Sequence, residues 1–180
     1  MRNHPILFSI VVTVSAALAL ACGSHPEPTQ PVNFGNGLLS MSISESWVLL
    51  RGTESEVVYE HPTVGEVRLS LEDETRDDFG IPLSVAAVKS IVGKELNHDY
   101  GGVRTRVSLS GNAMIDYARE LIEDGEVLHT QNWVVAKPSG IGSILRVAIT
   151  LNMPEELQSE PALLSLIETL DKQVGDATMR

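Results

Sequence analysis

The residues able to carry chemistry are few and scattered. Histidines 25, 61, 98 and 129 lie far apart in the chain, with no spacing of the kind that gathers metal ligands. No metal and no cofactor is expected. The chain has no Gly-x-Ser-x-Gly elbow, Walker loop or His-Glu-x-x-His helix, so no residue is assigned a catalytic role. A Ser/His/Asp site assembled only by folding is recognised by geometry and not by order in the chain. His98-Asp99 would be its seed, although an exposed helix end rich in polar residues explains that pair equally well. The acidic run Glu72-Asp73-Glu74 with Asp77-Asp78 lacks the spaced oxygen ligands and central glycine of a calcium loop and reads as a solvated loop. Gly140 and Gly142, just after Pro138, read as a turn and not as a phosphate cradle. Arg68, Arg104, Arg106 and Arg146 stand out because each takes a polar strand position in a chain poor in basic residues. Brought together, they would form a cationic patch able to grip a carboxylate, a phosphate or an acidic partner through the forked donors of arginine. Pairing across strands with Glu66, Glu120 or similar residues competes with that reading.

The other chemically distinct residue is Cys22, the single cysteine of the chain. It follows a segment with Arg2 as its one formal charge and an almost wholly apolar run from Ile6 to Ala21. A weakly basic start, an apolar stretch and small residues before a cut site describe an export signal. The run is short for a membrane-spanning helix, which needs about 20 apolar residues. Ala19-Leu20-Ala21-Cys22 resembles the lipobox of bacterial lipoproteins, in which the cysteine after the cut receives lipid. The same residues also satisfy the A-x-A pattern of ordinary cleavage at the same bond. A lone cysteine in an exported chain is lipidated, paired between chains or left reactive, and its place at the mature terminus fits lipidation. Gly23 in place of Asp after the cysteine resembles lipoproteins sorted to the outer membrane.

The whole chain carries 13 Lys+Arg against 24 Asp+Glu, for a net charge of −11. Removing residues 1–21 takes away one Arg and no acid, so 12 basic groups remain against 24 acidic ones, a net −12. This balance excludes nucleic acid as a partner, because affinity there is dominated by basic contacts to phosphate. It equally disfavours adhesion of the protein surface to anionic lipid. Membrane attachment is therefore expected through the lipid on Cys22 alone.

The elements that would position these residues can be read from hydrophobic periodicity. Prolines 26, 28 and 31 make residues 22–33 a tether in extended polyproline form, and residues 34–180 form one domain with one core. Alternation at Leu39, Met41 and Ile43 predicts a strand, followed by strands from Trp47 to Arg51, through Val57 and Tyr59, and through Val67, Leu69 and Leu71. After Pro82, Val85, Val88, Val92 and Leu96 step by three and four, as in an amphipathic helix. Gly101-Gly102 ends it. A strand follows with Val103, Thr105, Val107 and Leu109 inward and Arg104, Arg106 and Ser108 outward. Residues 113–136 read as a hairpin turning at Asp124-Gly125. The last strand sets Leu145, Val147, Ile149 and Leu151 on one face, and Leu163, Ile167, Leu170 and Val174 form the stripe of a closing helix. The expected fold class is α+β, a mostly antiparallel sheet of about seven or eight strands packed with two main helices.

Several of these features occur together in a known fold family. The segment from Gly37-Leu38-Leu39 through Ser46-Trp47, the helix after the fourth strand, and Glu123-Asp124-Gly125 leading into Trp133-Val134-Val135 are similar to PsbP/Mog-type domains. The ending, from Leu145 through Leu151 to Thr169-Leu170-Asp171-Lys172, is similar too. The resemblance covers most of residues 36–174 and contains no catalytic motif. It implies helices on both faces of the sheet and a non-enzymatic assembly, partner-binding or accessory role. Some bacterial members are lipoproteins or immunity proteins against secreted toxins. The sequence therefore leads to an exported, lipid-anchored envelope module that engages an unidentified envelope protein. A carrier of a small apolar ligand, needing a cavity between sheet and helices, and a hydrolase, needing a serine or acid-base group beside a histidine in a cleft, are the alternatives.

Overall fold

The computed structural model describes residues 27–62, 68–77, 80–123, 126–155 and 160–180. Within them lie ten strands and two helices. The strands are β1 (Thr29–Phe34), β2 (Leu39–Ser44), β3 (Val48–Gly52), β4 (Glu56–Glu60), β5 (Arg68–Asp77), β6 (Arg104–Val107), β7 (Ala113–Glu123), β8 (Glu126–Ser139), β9 (Ser143–Pro154) and β10 (Thr178–Met179). The helices are α1 (Val85–Tyr100) and α2 (Pro161–Gly175). Seven strands form one sheet in the order β3-β4-β5-β9-β8-β7-β6, and β1-β2-β10 form a second, smaller one. Every pairing is antiparallel. This is the expected α+β class, with more strands than periodicity shows because the chain ends contribute β1 and the two-residue β10.

The centre of the sheet is built from long strands joined by tight connections. Glu123 pairs with Glu126 across the β7–β8 hairpin, while Asp124-Gly125 itself lies outside the described residues. Ser139 pairs with Ser143, and the three residues between them include Gly140 and Gly142, both at positive φ. That is a hairpin turn, as the prolines and glycines there suggest.

Alternation along these strands feeds two cores. On one face Met114, Trp133, Val135, Val147, Ile149 and Leu151 pack under α2 and the small sheet. On the other, Ala113, Ile115, Tyr117, Val134, Ala136 and Ile144 pack under Val88, Val92 and Leu96 of α1. Helices therefore cover both faces, as the resemblance implies. Ser84 caps α1, its hydroxyl accepting from the Ala87 amide at 3.2 Å, and Pro161 opens α2.

Three expectations are corrected. Residues 29–33, assigned to the tether, form β1. Pro31 lacks an amide proton, but β1 pairs on one side only, with β2, and Val32 and Phe34 bury themselves in the core. Residues 72–77, assigned to a solvated loop, continue β5 and pair with Ser143–Ala148 of β9. From residue 73 onward β5 has outrun β4 and, among the described residues, pairs with β9 alone. Val107 and Leu109, assigned inward, are 51% and 90% exposed, and Ser108 between them is buried. The strand stops at Val107 on the edge of the sheet. Ser108 instead pins a turn, its hydroxyl accepting from the Asn112 amide at 3.1 Å.

Candidate functional site

The four arginines do not form one patch. Register places Arg104 opposite Asp116 and Arg106 opposite Met114, on the α2 face. Arg146 lies on the α1 face, where its guanidinium meets Glu95 of α1 at 3.3 Å. Arg68 stands in β5, its backbone opposite Asn152. Arg146 is thus parted from Arg104 and Arg106, which stay together. Arg104 pairs across strands, as the competing reading suggests, but with Asp116, whereas the partner of Arg106, Asp171, comes from α2. Cys22, Gly23 and His25 lie outside the described residues.

Arg104 reaches Asp116 Oδ2 with Nε at 2.7 Å and Nη2 at 2.5 Å. The arginine side chain is 75% exposed while the aspartate is 3% exposed, so a nearly buried carboxylate is neutralised by a cation on the surface. Arg106 donates to Asp171 of α2, which also accepts the Trp133 indole N–H at 2.9 Å. Burial pushes the Asp171 carboxyl up, but the hydrogen bonds from Arg106 and Trp133 and the nearby cations outweigh it, holding the pKa below the ordinary value. Beside these residues an open cleft of about 280 Å³ is lined by Arg104, Gln131, Trp133, Glu168 and Lys172 among others. Its charged lining does not suit a small apolar ligand.

The histidines are separate, and among the described residues no three His, Cys, Asp or Glu side chains come together as a metal site would need. His98 Nδ1 lies 3.0 Å from Asp99 on the exposed end of α1. His129 approaches Glu120 at 3.7 Å. His61 is the one that meets a serine. Its Nε2 is 2.9 Å from Ser46 Oγ, which is 2.6 Å from Ser44 Oγ. His61 is buried edge-on against Trp47, so this network ties the β2–β3 turn to the end of β4. Burial lowers the His61 pKa, and the nearby Glu27 offsets only part of that.

A second open groove, about 530 Å³, runs between α1 and β6. Lys89, Lys94 and His98 line it together with Asn97, Gly93 and Thr105, and no acidic residue does. Two of the four lysines of the chain stand here. The approach of helix and strand depends on Gly93, where an added Cβ would sit 2.6 Å from Thr105 Cγ2. Because β6 is the last strand of the sheet, its outer edge is open among the described residues, and all four of its residues are exposed.

No family model and no curated protein matches the sequence. Solved structures do match the shape. A protein of Bacteroides thetaiotaomicron superposes with a TM-score of 0.58 at 9% identity, over 84% of this chain and 48% of its own, so this chain spans about half of that protein. The Ran-binding protein Mog1p of Saccharomyces cerevisiae superposes with a TM-score of 0.50 at 8% identity, over 85% of this chain and 96% of its own. The fold is similar to that of Mog1p. LpqN of Mycobacterium tuberculosis, described as involved in cell envelope biogenesis, gives 0.48 at 14% identity, over 86% and 87%. At such identities the likeness concerns the fold alone.

Sequence reasoning passed over Asp116, Asp171, Lys89 and Lys94. A signal for the first was present: Asp116 keeps the phase of Met114 in an apolar strand, so it had to be buried and paired. Trp133 at the centre of a strand likewise demanded an acceptor for its indole N–H. For the lysines there was none, since their meaning comes from the edge strand that α1 packs beside.

Proposed function

We propose that this chain is a lipid-anchored, non-enzymatic binding or accessory module of the cell envelope, engaging a protein partner in complex assembly or toxin neutralisation. The observation that carries the reading is Cys22, the lone cysteine, placed directly after an apolar export segment ending in Ala19-Leu20-Ala21. Burial of acyl chain contributes about 0.8 kcal/mol per methylene, so a multiply acylated terminus holds firmly where an acidic protein surface would not. Neither helix among the described residues is long and apolar enough to cross a membrane. Gly23 after the cysteine favours the outer membrane. The partner-facing groups in this reading are Arg104 and Arg106, which share the α2 face.

Metabolic labelling with a fatty-acid probe tests the tether. The chain should incorporate label and sediment with envelopes, and Cys22→Ser should abolish both. Unlabelled, freely soluble protein with intact Cys22 would remove the envelope role.

A further inference from the structure

Basic residues are scarce on this acidic chain, and four of its 13 Lys+Arg flank one edge strand. On the α1 side of β6 stand Lys89, Lys94 and His98, lining the groove of about 530 Å³. On the α2 side stand Arg104 and Arg106, 75% and 42% exposed. Between the two sets lies the backbone edge of Arg104–Val107, which among the described residues pairs with β7 on its other side only. An open edge strand beside a helix can accept an extended peptide as an extra strand; main-chain hydrogen bonds then supply affinity, and the flanking side chains read every second residue from each face. Lys89 and Lys94 stand on one face, and on the other Arg104 remains 75% exposed while it holds Asp116, so both sets of side chains on the incoming strand meet a cation. At the far end of the same strand, Val107 and Leu109 expose apolar surface, at 51% and 90%. The opposite edge strand, β3, differs: Val48, Leu49 and Leu50 expose apolar side chains along it, and Arg51 is its one basic residue.

We propose that the β6 edge accepts an extended acidic segment of the partner protein as an added strand, with carboxylates directed to Lys89 and Lys94 on one face and to Arg104 on the other, and an apolar residue set against Val107 and Leu109. This deepens the partner-binding reading by naming where and what it binds. It does not depend on the lipid.

The test is fluorescence anisotropy with the full chain purified in detergent and a labelled peptide of consecutive glutamates ending in leucine, which as a strand shows carboxylates on both faces. A lysine-for-glutamate peptide is the control. The glutamate peptide should bind and the lysine peptide should not. Affinity should fall on the order of tenfold or more for Lys89→Glu/Lys94→Glu, and less for Lys94→Gln, a milder change at an exposed position. Only every second amide of an added strand faces its neighbour. Of two peptides N-methylated on alternate residues, one should therefore lose binding and the other keep it. The alternate amides of residues 104–107 that point away from β7 should gain protection from hydrogen exchange. Equal binding of both charge forms, or indifference to N-methylation in both isomers, would overturn the proposal and leave the basic edge as a guard against stray pairing. Binding by a chain that carries no fatty acid would refute the tether and leave the β6 site standing.

Discussion

Trp133 and Asp171 fasten the middle of the sheet to its covering helix: the indole N–H donates to the carboxylate at 2.9 Å from the centre of β8 to α2. Trp133 is 1% exposed, so its N–H has no water to turn to, and Arg106 shares the same oxygen. Replacing Asp171 with Ala strands a buried donor and frees a cation, and should cost about 1–3 kcal/mol. Urea unfolding of the two proteins at pH 7 gives the number. A depressed carboxylate pKa contributes stability above the unfolded value of about 3.9 and loses it as pH falls through the lower folded value. The gap between wild type and Asp171→Asn should therefore be full at pH 7 and close in strongly acidic solution. A gap that does not change with pH would mean that Asp171 acts through shape alone.

Gly93 sets the distance between α1 and the edge strand. Within a helix, Gly→Ala ordinarily stabilises by about 1 kcal/mol. Here the new methyl meets Thr105 Cγ2 at 2.6 Å, and overpacking costs about 1–3 kcal/mol. Gly93→Ala should thus be destabilising. Thr105→Ser removes the obstructing methyl, and the double variant should recover to wild-type stability or better. A double-mutant cycle by thermal unfolding measures the coupling; additive effects would show that the two residues do not touch.

How legible was this molecule in its residues? The strands through Leu39, Val57 and Val147 and both helices are written plainly, because each buries one periodic face that no other pairing could satisfy. What periodicity cannot convey is where a face runs out. Leu109 keeps the inward phase of Val103 and Thr105, but it stands past the end of β6, where no second layer lies beneath. The acidic residues of β5 have poor strand propensity, yet ten consecutive pairings to β9 override it. The arginines were rightly placed on strands, but whether they meet depends on strand order and face, and a β5–β9–β8–β7–β6 order is not encoded locally.

His61 should make the fold sensitive to mild acid. Its imidazole is buried against Trp47 and bonded to Ser46, and burial, the largest influence, lowers its pKa, with Glu27 pulling the other way. A depressed histidine pKa means that the unfolded chain takes up a proton first. Stability is then complete above about pH 6.5 and falls as pH drops below it, levelling off once the folded-state pKa is passed. Thermal midpoints measured between pH 8 and pH 5 should show this step, and His61→Gln should flatten it relative to wild type. An identical slope in both proteins would assign the acid response to the carboxylates.

The fate of Leu109 separates an apolar residue that holds the fold from one that is merely displayed. It is 90% exposed, and only its backbone is engaged, donating to the Gly175 carbonyl at 3.2 Å. Leu109→Ser keeps that bond and loses almost no buried area, so stability should stay within about 0.5 kcal/mol. Ile115, a few residues on in β7, is fully buried under α1. Ile115→Ala should cost about 2–5 kcal/mol, the transfer and cavity penalty together. If β6 receives a strand, Leu109→Ser should weaken the glutamate peptide while leaving the unfolding midpoint unmoved, a split that a core residue cannot produce. A large loss of stability in Leu109→Ser would instead place this leucine inside, where its phase in the sequence had put it.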